Sequence, residues 1–263
     1  MRASTGSPET RGVDVAVQIR EQFLKDLRDN QFLLYYQSII PLQAEGKPTL
    51  YREMLVRFRE EEQGLMPPGT FIPTLEAHGL MPLLDRWVVA TVLRWVRTTQ
   101  AAVASKIVPR CSVNLADDTI RDPAFPDYVQ QAARKIEGPA ESLSFEIPIG
   151  HAREDPDMVA RLVYPLRRIG CSFALSGFTG SDGLELAQAL GITFIKIDGS
   201  LVDRVARDPK SAQELRAIHE RAATLGMRTV GMQVESNATL DALRQMQVNY
   251  AQGFGIDKPR MLK

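Results

Sequence analysis

The link between the first two apolar runs constrains this chain most. In "YYQSIIPLQAEGKPTLYREML" two strand-like runs are joined by a short loop bearing Gly and Pro, with no helical stretch between them. A parallel crossover needs about a dozen or more residues, so this pair is predicted to be antiparallel. Beyond it the pattern changes. Short β-branched or aromatic runs recur at "RCSVNL", "LSFEIPI", "CSFAL", "ITFIKID", "RTVGMQV" and "NYAQGF", making eight with "QFLLYYQSII" and "LYREMLVRF". Between most of them lie stretches of 3.6-residue periodicity, such as "LLDRWVVATVLRWVRTT", "PDMVARLVYPLRRIG", "SAQELRAIHERAATLG" and "NATLDALRQMQ". Ser236 or Asn237 is placed to cap the last of these, and Gly170 and Gly226 fit the position just past a helix end. Eight strands with mostly helical crossovers predict an α/β fold, a (β/α)8 TIM-like barrel with an antiparallel first strand. The 263 residues suit one such barrel over residues 14–263, behind a disordered leader over residues 1–13. The stretch "VDVAVQIREQFLKDLRDN" is helix-like and is expected to pack on the barrel.

Thirty-two basic residues balance 32 acidic ones. A neutral chain has no global field to steer it to nucleic acid or to an anionic membrane, so an anionic ligand must be held by local groups. No apolar run approaches the ~18–20 residues of a membrane helix, and the N-terminus lacks the apolar stretch of a signal peptide. Cys111 and Cys171 lie in apolar runs without a spacing motif, which predicts buried, reduced thiols in a cytoplasmic protein. His78, His151 and His219 share no ligand spacing, which argues against zinc.

In a barrel of this kind functional groups sit where strands end. Those positions carry Gln37, Glu53 with Arg57, Asn114, Glu146, Ser176 with Gly177, Lys196 with Asp198, Gln233 with Glu235, and Gln252. Any one of them alone reads as a packing residue; polar groups at successive strand tips around one mouth predict a ligand site. Simpler readings cover other features. Trp87 and Trp95 fall at helical spacing and read as core, "FREEEQG" as a solvated loop, Asp85 as a dipole partner for its helix, and Arg57 as a partner for a helix carboxylate. In "FALSGFTGSDG" a short strand, Phe173 to Leu175, runs into a glycine-rich turn.

The same residues resemble a family. From Gln31 to Pro259 the chain is similar to the EAL domains, the cyclic di-GMP phosphodiesterases and their inactive relatives. "YREMLVRF" looks like the signature segment, with Glu-Met-Leu in place of Glu-Ala-Leu, followed by Arg57. "FIPTLEAHGLMPLLDRWVV" resembles the next block, "CSVNLA" its Ser-Val-Asn-Leu-Ser, "LSFEIPI" its Leu-Glu-Ile-Thr-Glu, "FIKID" its Lys-Ile-Asp and "YAQGF" its Gln-Gly-Tyr; Pro259 fits the last proline.

The resemblance implies hydrolysis of cyclic di-GMP with two bound Mg or Mn ions, and it matches Glu53, Asn114 and Glu146 to metal ligands. It departs where further acids are expected. The Asp-Asp-Phe-Gly-Thr-Gly loop is "SGFTGSDG", one residue shorter, so its two aspartates are Ser176 and Gly177. The first glutamate of Ala-Glu-Gly-Val-Glu is Met232, and the second of Leu-Glu-Ile-Thr-Glu is Ile149. Asp198 matches an aspartate near the metals, and Asp182 lies on the altered loop. The expectation is a degenerate, non-catalytic domain without metal that binds cyclic di-GMP and relays it to a signalling or regulatory protein. Gln37, Leu55, Arg57, Asp85, Asn114, Glu146, Lys196, Glu235, Gln252 and Pro259 would line its groove, although Ser38 replaces the proline after the glutamine. The alternatives are a protein-interaction module that no longer binds nucleotide and an active metal-dependent phosphodiesterase. Relatives pair through the face bearing the altered loop, so a homodimer is among the assemblies implied.

Overall fold

The structure, a computed structural model, describes residues 8–43, 50–60, 64–66, 68–102 and 108–263. In chain order its elements are α1 (Pro8–Arg28), β1 (Phe32–Pro41), β2 (Tyr51–Glu60), β3 (Gly64–Met66), α2 (Pro68–Ala77), α3 (Met81–Ala102), β4 (Arg110–Asn114), α4 (Asp117–Arg121), α5 (Phe125–Ile136), β5 (Leu143–Pro148), α6 (Ile149–Glu154), α7 (Pro156–Arg168), β6 (Ser172–Phe178), α8 (Leu184–Ala189), β7 (Phe194–Ile197), α9 (Gly199–Val202), α10 (Pro209–Thr224), β8 (Arg228–Gly231), α11 (Asn237–Gln245), β9 (Tyr250–Ala251) and β10 (Arg260–Met261). Of the expected leader, residues 8–13 lie in α1 and residues 1–7 lie outside the described residues.

Eight of these strands close a barrel. β1 runs antiparallel to both neighbours, β2 and β9, while β2, β4, β5, β6, β7, β8 and β9 follow in parallel. The antiparallel first strand is therefore as the short loop demanded. Two strands lie outside the eight-run pattern: β3 extends β2 as a hairpin, and β10 pairs with β1 through Tyr35–Met261 and Tyr36–Arg260. The hairpin corrects the reading of "FREEEQG" as a loop, since Phe58 and Glu60 pair with Met66 and Gly64; residues 61–63 lie outside the described residues.

Helix boundaries follow local chemistry. α7 and α10 each begin with Asp-Pro. Asp155 accepts the Met158 N–H at 2.9 Å, Asp208 accepts from Lys210 and Ser211, and the following proline has no N–H to leave unsatisfied. Ser236 caps α11 by accepting from Thr239 N at 3.1 Å. Gly170 and Gly226 follow the ends of α7 and α10 with φ of +99° and +77°, where a side chain would strain the turn.

A core lies between barrel and helices, with Val89, Phe125, Phe145, Leu166, Phe173 and Leu215 fully enclosed. A smaller cluster joins α1 to α2 and the sheet: Phe23 meets Phe32 edge-on at 5.4 Å, so the "VDVAVQIREQF" helix does pack on the barrel. Trp87 and Trp95, read as core from their helical spacing, pack against it while remaining partly exposed; Trp95 Nε1 donates to the Lys263 carbonyl at 2.9 Å. Cys111 and Cys171 are buried and unpaired, and burial pushes each thiol up to about 12.

Candidate functional site

Side chains alternate across a strand, so residues two apart share a face. The barrel interior is built on that rule. Ile39, Tyr51, Ala174, Phe194, Val230 and Tyr250 form an enclosed apolar layer, completed by buried Ser112 and Ser144. Two positions onward on each strand, or two back on antiparallel β1, comes the ring at the mouth. It reads Gln37, Glu53, Asn114, Glu146, Ser176, Lys196, Met232 and Gln252. Six of the eight were named from sequence as ligand-binding residues or as remnants of the catalytic set; Ser176 and Met232 were named as replaced acids.

Lys196 organises the ring. It is fully buried, and its Nζ pairs with Glu146 Oε2 and lies 3.4 Å from Glu53 Oε2. Asn114 Nδ2 donates to Glu53 Oε1 at 2.8 Å, and Gln252 Nε2 donates to Glu53 Oε2 at 2.7 Å and to Gln37 Oε1 at 2.9 Å. Gln37 Nε2 in turn donates to the Asp257 carbonyl at 2.7 Å, and Ser38 Oγ to Asp257 Oδ2 at 2.6 Å. Burial works against Lys196, but Glu146 and Glu53 hold its pKa above the ordinary value, so it stays an ammonium. Burial also opposes ionisation of Glu53, yet Lys196 and the amides of Asn114 and Gln252 keep it below the usual range. Glu146 is raised, because burial and the neighbouring Glu53 outweigh Lys196 and the hydrogen bond from Ser176.

Beside this cluster lies a groove of about 500 Å³, walled by Gln37, Glu53, Leu55, Arg57, Glu235, Gln252 and Pro259. These were all expected from sequence. Gln233, a strand-end position named from sequence, and Met232, named as a replaced acid, also line it, and the structure adds Pro68, Gly253 and Phe254. An adjoining cavity of about 370 Å³ shares Leu55 and Pro68 with it and takes in Asp85 and Asn114. Glu146 and Lys196 sit at the barrel centre and line neither of these two cavities.

Arg57 is half-buried and, among the described residues, has no carboxylate partner, a correction to its reading as a helix pair. Its Nη1 donates to the Val56 carbonyl at 2.8 Å, and its guanidinium lies 5.7 Å from the Tyr35 ring centre. Asp85 is not a dipole partner at its helix start. Its carboxylate reaches across to accept the Ala116 N–H at 3.0 Å, and burial pushes its pKa up to about 6 against that hydrogen bond. Asp198 caps α9, its Oδ1 accepting the Ser200 N–H at 2.9 Å, and lines neither of the two cavities.

The altered loop also differs from its expected form. β6 continues past Leu175 to Phe178, with a register shift between Ser176 and Phe178. Phe178 is buried and pairs with Ile197, which draws the chain back to the ladder, while Gly177 takes the bulge with φ of +88°. Ile149 packs under this loop, 3.7 Å from a Cβ built on Gly177, and Arg153 Nη2 donates to the Asp182 carbonyl at 2.7 Å. Among the described residues no three His, Cys, Asp or Glu side chains are grouped to hold a metal ion, and no helix is long and apolar enough to cross a membrane.

Curated proteins named for their activity are similar to this chain over most of its length. The chain is 28% identical over 237 residues to cyclic di-GMP phosphodiesterase PdeB of Shewanella oneidensis, covering 90% of this chain and 27% of that one. It is 29% identical over 244 residues to cyclic di-GMP phosphodiesterase NbdA of Pseudomonas aeruginosa, covering 92% and 31%. The chain thus spans about a third or less of the length of these curated relatives. Among solved structures, a PaMucR phosphodiesterase complexed with c-di-GMP matches with a TM-score of 0.81 at 26% identity, over 92% of this chain and 97% of that one. The c-di-GMP-bound FimX EAL domain of Pseudomonas aeruginosa has the same fold, with a TM-score of 0.81 at 24% identity over 93% and 96%. With residues 20–259 matching the family across the barrel and its mouth, this chain belongs to the EAL domain family.

Proposed function

We propose that this barrel binds cyclic di-GMP intact, without metal and without hydrolysis, and passes its occupancy to a signalling or regulatory protein. One observation carries the reading: the β6 and β8 ends of the mouth present Ser176, Gly177 and Met232, which leaves Glu53 and Glu146 as the ring's carboxylates, both engaged by Lys196. Metal-assisted phosphodiester hydrolysis uses two divalent ions about 3.5–4 Å apart, and such ions need several anionic oxygens. Here both Glu53 oxygens are taken by Asn114, Gln252 and Lys196, Glu146 is paired to Lys196, and Ser176, Gly177 and Met232 offer no carboxylate. We read this donor set as unfit for a metal pair.

The groove is suited to a nucleotide diester all the same. Arg57 can fork to a phosphate, while Gln37, Gln233, Gln252 and Glu235 offer the donors and acceptors that purine edges require. The PaMucR complex, 26% identical, supports the ligand class. The deciding experiment is calorimetric titration with cyclic di-GMP in the presence of chelator, followed by analysis of the nucleotide recovered after incubation with magnesium or manganese. Binding with cyclic di-GMP returned unchanged is the expected result. Linear pGpG would overturn the non-catalytic reading, and absence of binding would leave the protein-interaction module in its place.

A further inference from the structure

Phe254 stands in the connection between β9 and β10, and the barrel does not use it. It is 62% exposed and joins none of the apolar clusters of the described residues. Its backbone, by contrast, is tightly held. A Cβ on Gly253 would fall 2.1 Å from the nitrogen and oxygen of Val234, and one on Gly255 would fall 2.6 Å from the carbonyl of Glu235. Both flanking residues must therefore be glycine for the two backbones to lie in contact. Val234 N–H donates to the Gln252 carbonyl at 2.9 Å, and Gly255 N–H to the Val234 carbonyl at 3.0 Å. Ile256 and Asp257 both donate to the Gly253 carbonyl, at 3.0 and 3.1 Å. A Gly-Phe-Gly segment pinned on both sides holds an aromatic ring in the groove wall, beside the amides of Gln37, Gln233 and Gln252 and the guanidinium of Arg57.

A ring held out at a groove edge offers a flat face whose ordering is already settled, and bases stack on such faces. Resting on the nucleotide reading above, we infer that Phe254 is the stacking platform for one guanine base and selects planar aromatic ligands for this groove. The test is titration of the whole chain and its variants with cyclic di-GMP, by calorimetry and by fluorescence. Phe254→Ala weakens binding about tenfold, and Phe254→Leu, which restores apolar bulk but no ring, weakens it as much. Phe254→Trp keeps the affinity. Its added emission, seen above the Trp87 and Trp95 signal of the parent, is quenched on binding. If the parent binds but Phe254→Ala binds equally well, or the new indole is not quenched, the inference is overturned and the exposed ring is left as a contact for a protein. If the parent itself fails to bind, the nucleotide reading falls and takes this inference with it.

Discussion

The two halves of the barrel mouth are built from the same kind of strand end yet hold different chemistry. On the side of β1, β2, β4, β5 and β9 the ring residues are Gln37, Glu53, Asn114, Glu146 and Gln252, and Lys196 from β7 reaches across to join them. At β6 and β8 the positions are Ser176 and Met232, and the loop after β6 is fastened by Ile149 and Arg153. The first half is a closed electrostatic circuit in which Glu53, Glu146 and Lys196 are all partnered, with Gln252 Oε1 left without a hydrogen bond. The second is neutral and held by packing. The difference teaches that one side of such a rim can go without acids while the other holds two of them buried, because the buried charges satisfy one another.

The sharpest way to break that comparison is Lys196→Met. It leaves two buried carboxylates facing each other and should cost about 3–5 kcal/mol in urea unfolding; adding Glu146→Gln should recover part of the loss. A small loss would mean that the circuit is not closed as described.

Asp85 tests the edge of the polar half through pH. Its carboxyl titrates near the ordinary 3.8 in the unfolded chain and near about 6 when folded. Between those limits the folded state holds the extra proton, so stability from this group falls as pH rises from about 4 to 6. Two units correspond to about 3 kcal/mol. Asp85→Asn should remove that slope from the pH profile of the melting temperature, and an unchanged profile would contradict the burial argument.

Arg57→Ala should weaken cyclic di-GMP by about 1.5–3 kcal/mol in calorimetry, the range for a lost charged hydrogen bond, while leaving stability nearly unchanged. The smallest effect belongs to the neutral half. Arg153→Ala removes one exposed hydrogen bond to the Asp182 carbonyl and should cost about 0.5–1.5 kcal/mol at most, with faster hydrogen exchange over residues 177–183 and no change in affinity.

Much of this was readable in the residues. The short Gly/Pro loop after Ile40 dictated an antiparallel start, and Glu53, Asn114, Glu146 and Lys196 all proved to meet at the mouth. What escaped was set by tertiary geometry. β3 and β10 are only three and two residues long, too short to leave a periodic signal. Asp198 sits at a strand end like its neighbours, but the N–H of Ser200 claims its carboxylate, a choice visible only once α9 exists. The length of β6 was misjudged because Phe178 re-enters the ladder beyond a glycine that looked like the start of a turn. Phe254 went unnoticed within "YAQGF", although its two flanking glycines were the available signal.

The short strand β10 ties this mouth to the outside of the barrel. The chain that walls the groove at Gly253 and Pro259 is the same chain that binds Gln37 through Asp257, adds to β1 at Tyr35 and Tyr36, and ends with Lys263 accepting from Trp95. One continuous run of chain thus joins the groove wall, an edge of the β-sheet and the outer surface of α3, so that the final dozen residues fasten the inside of the mouth to the exterior of the molecule.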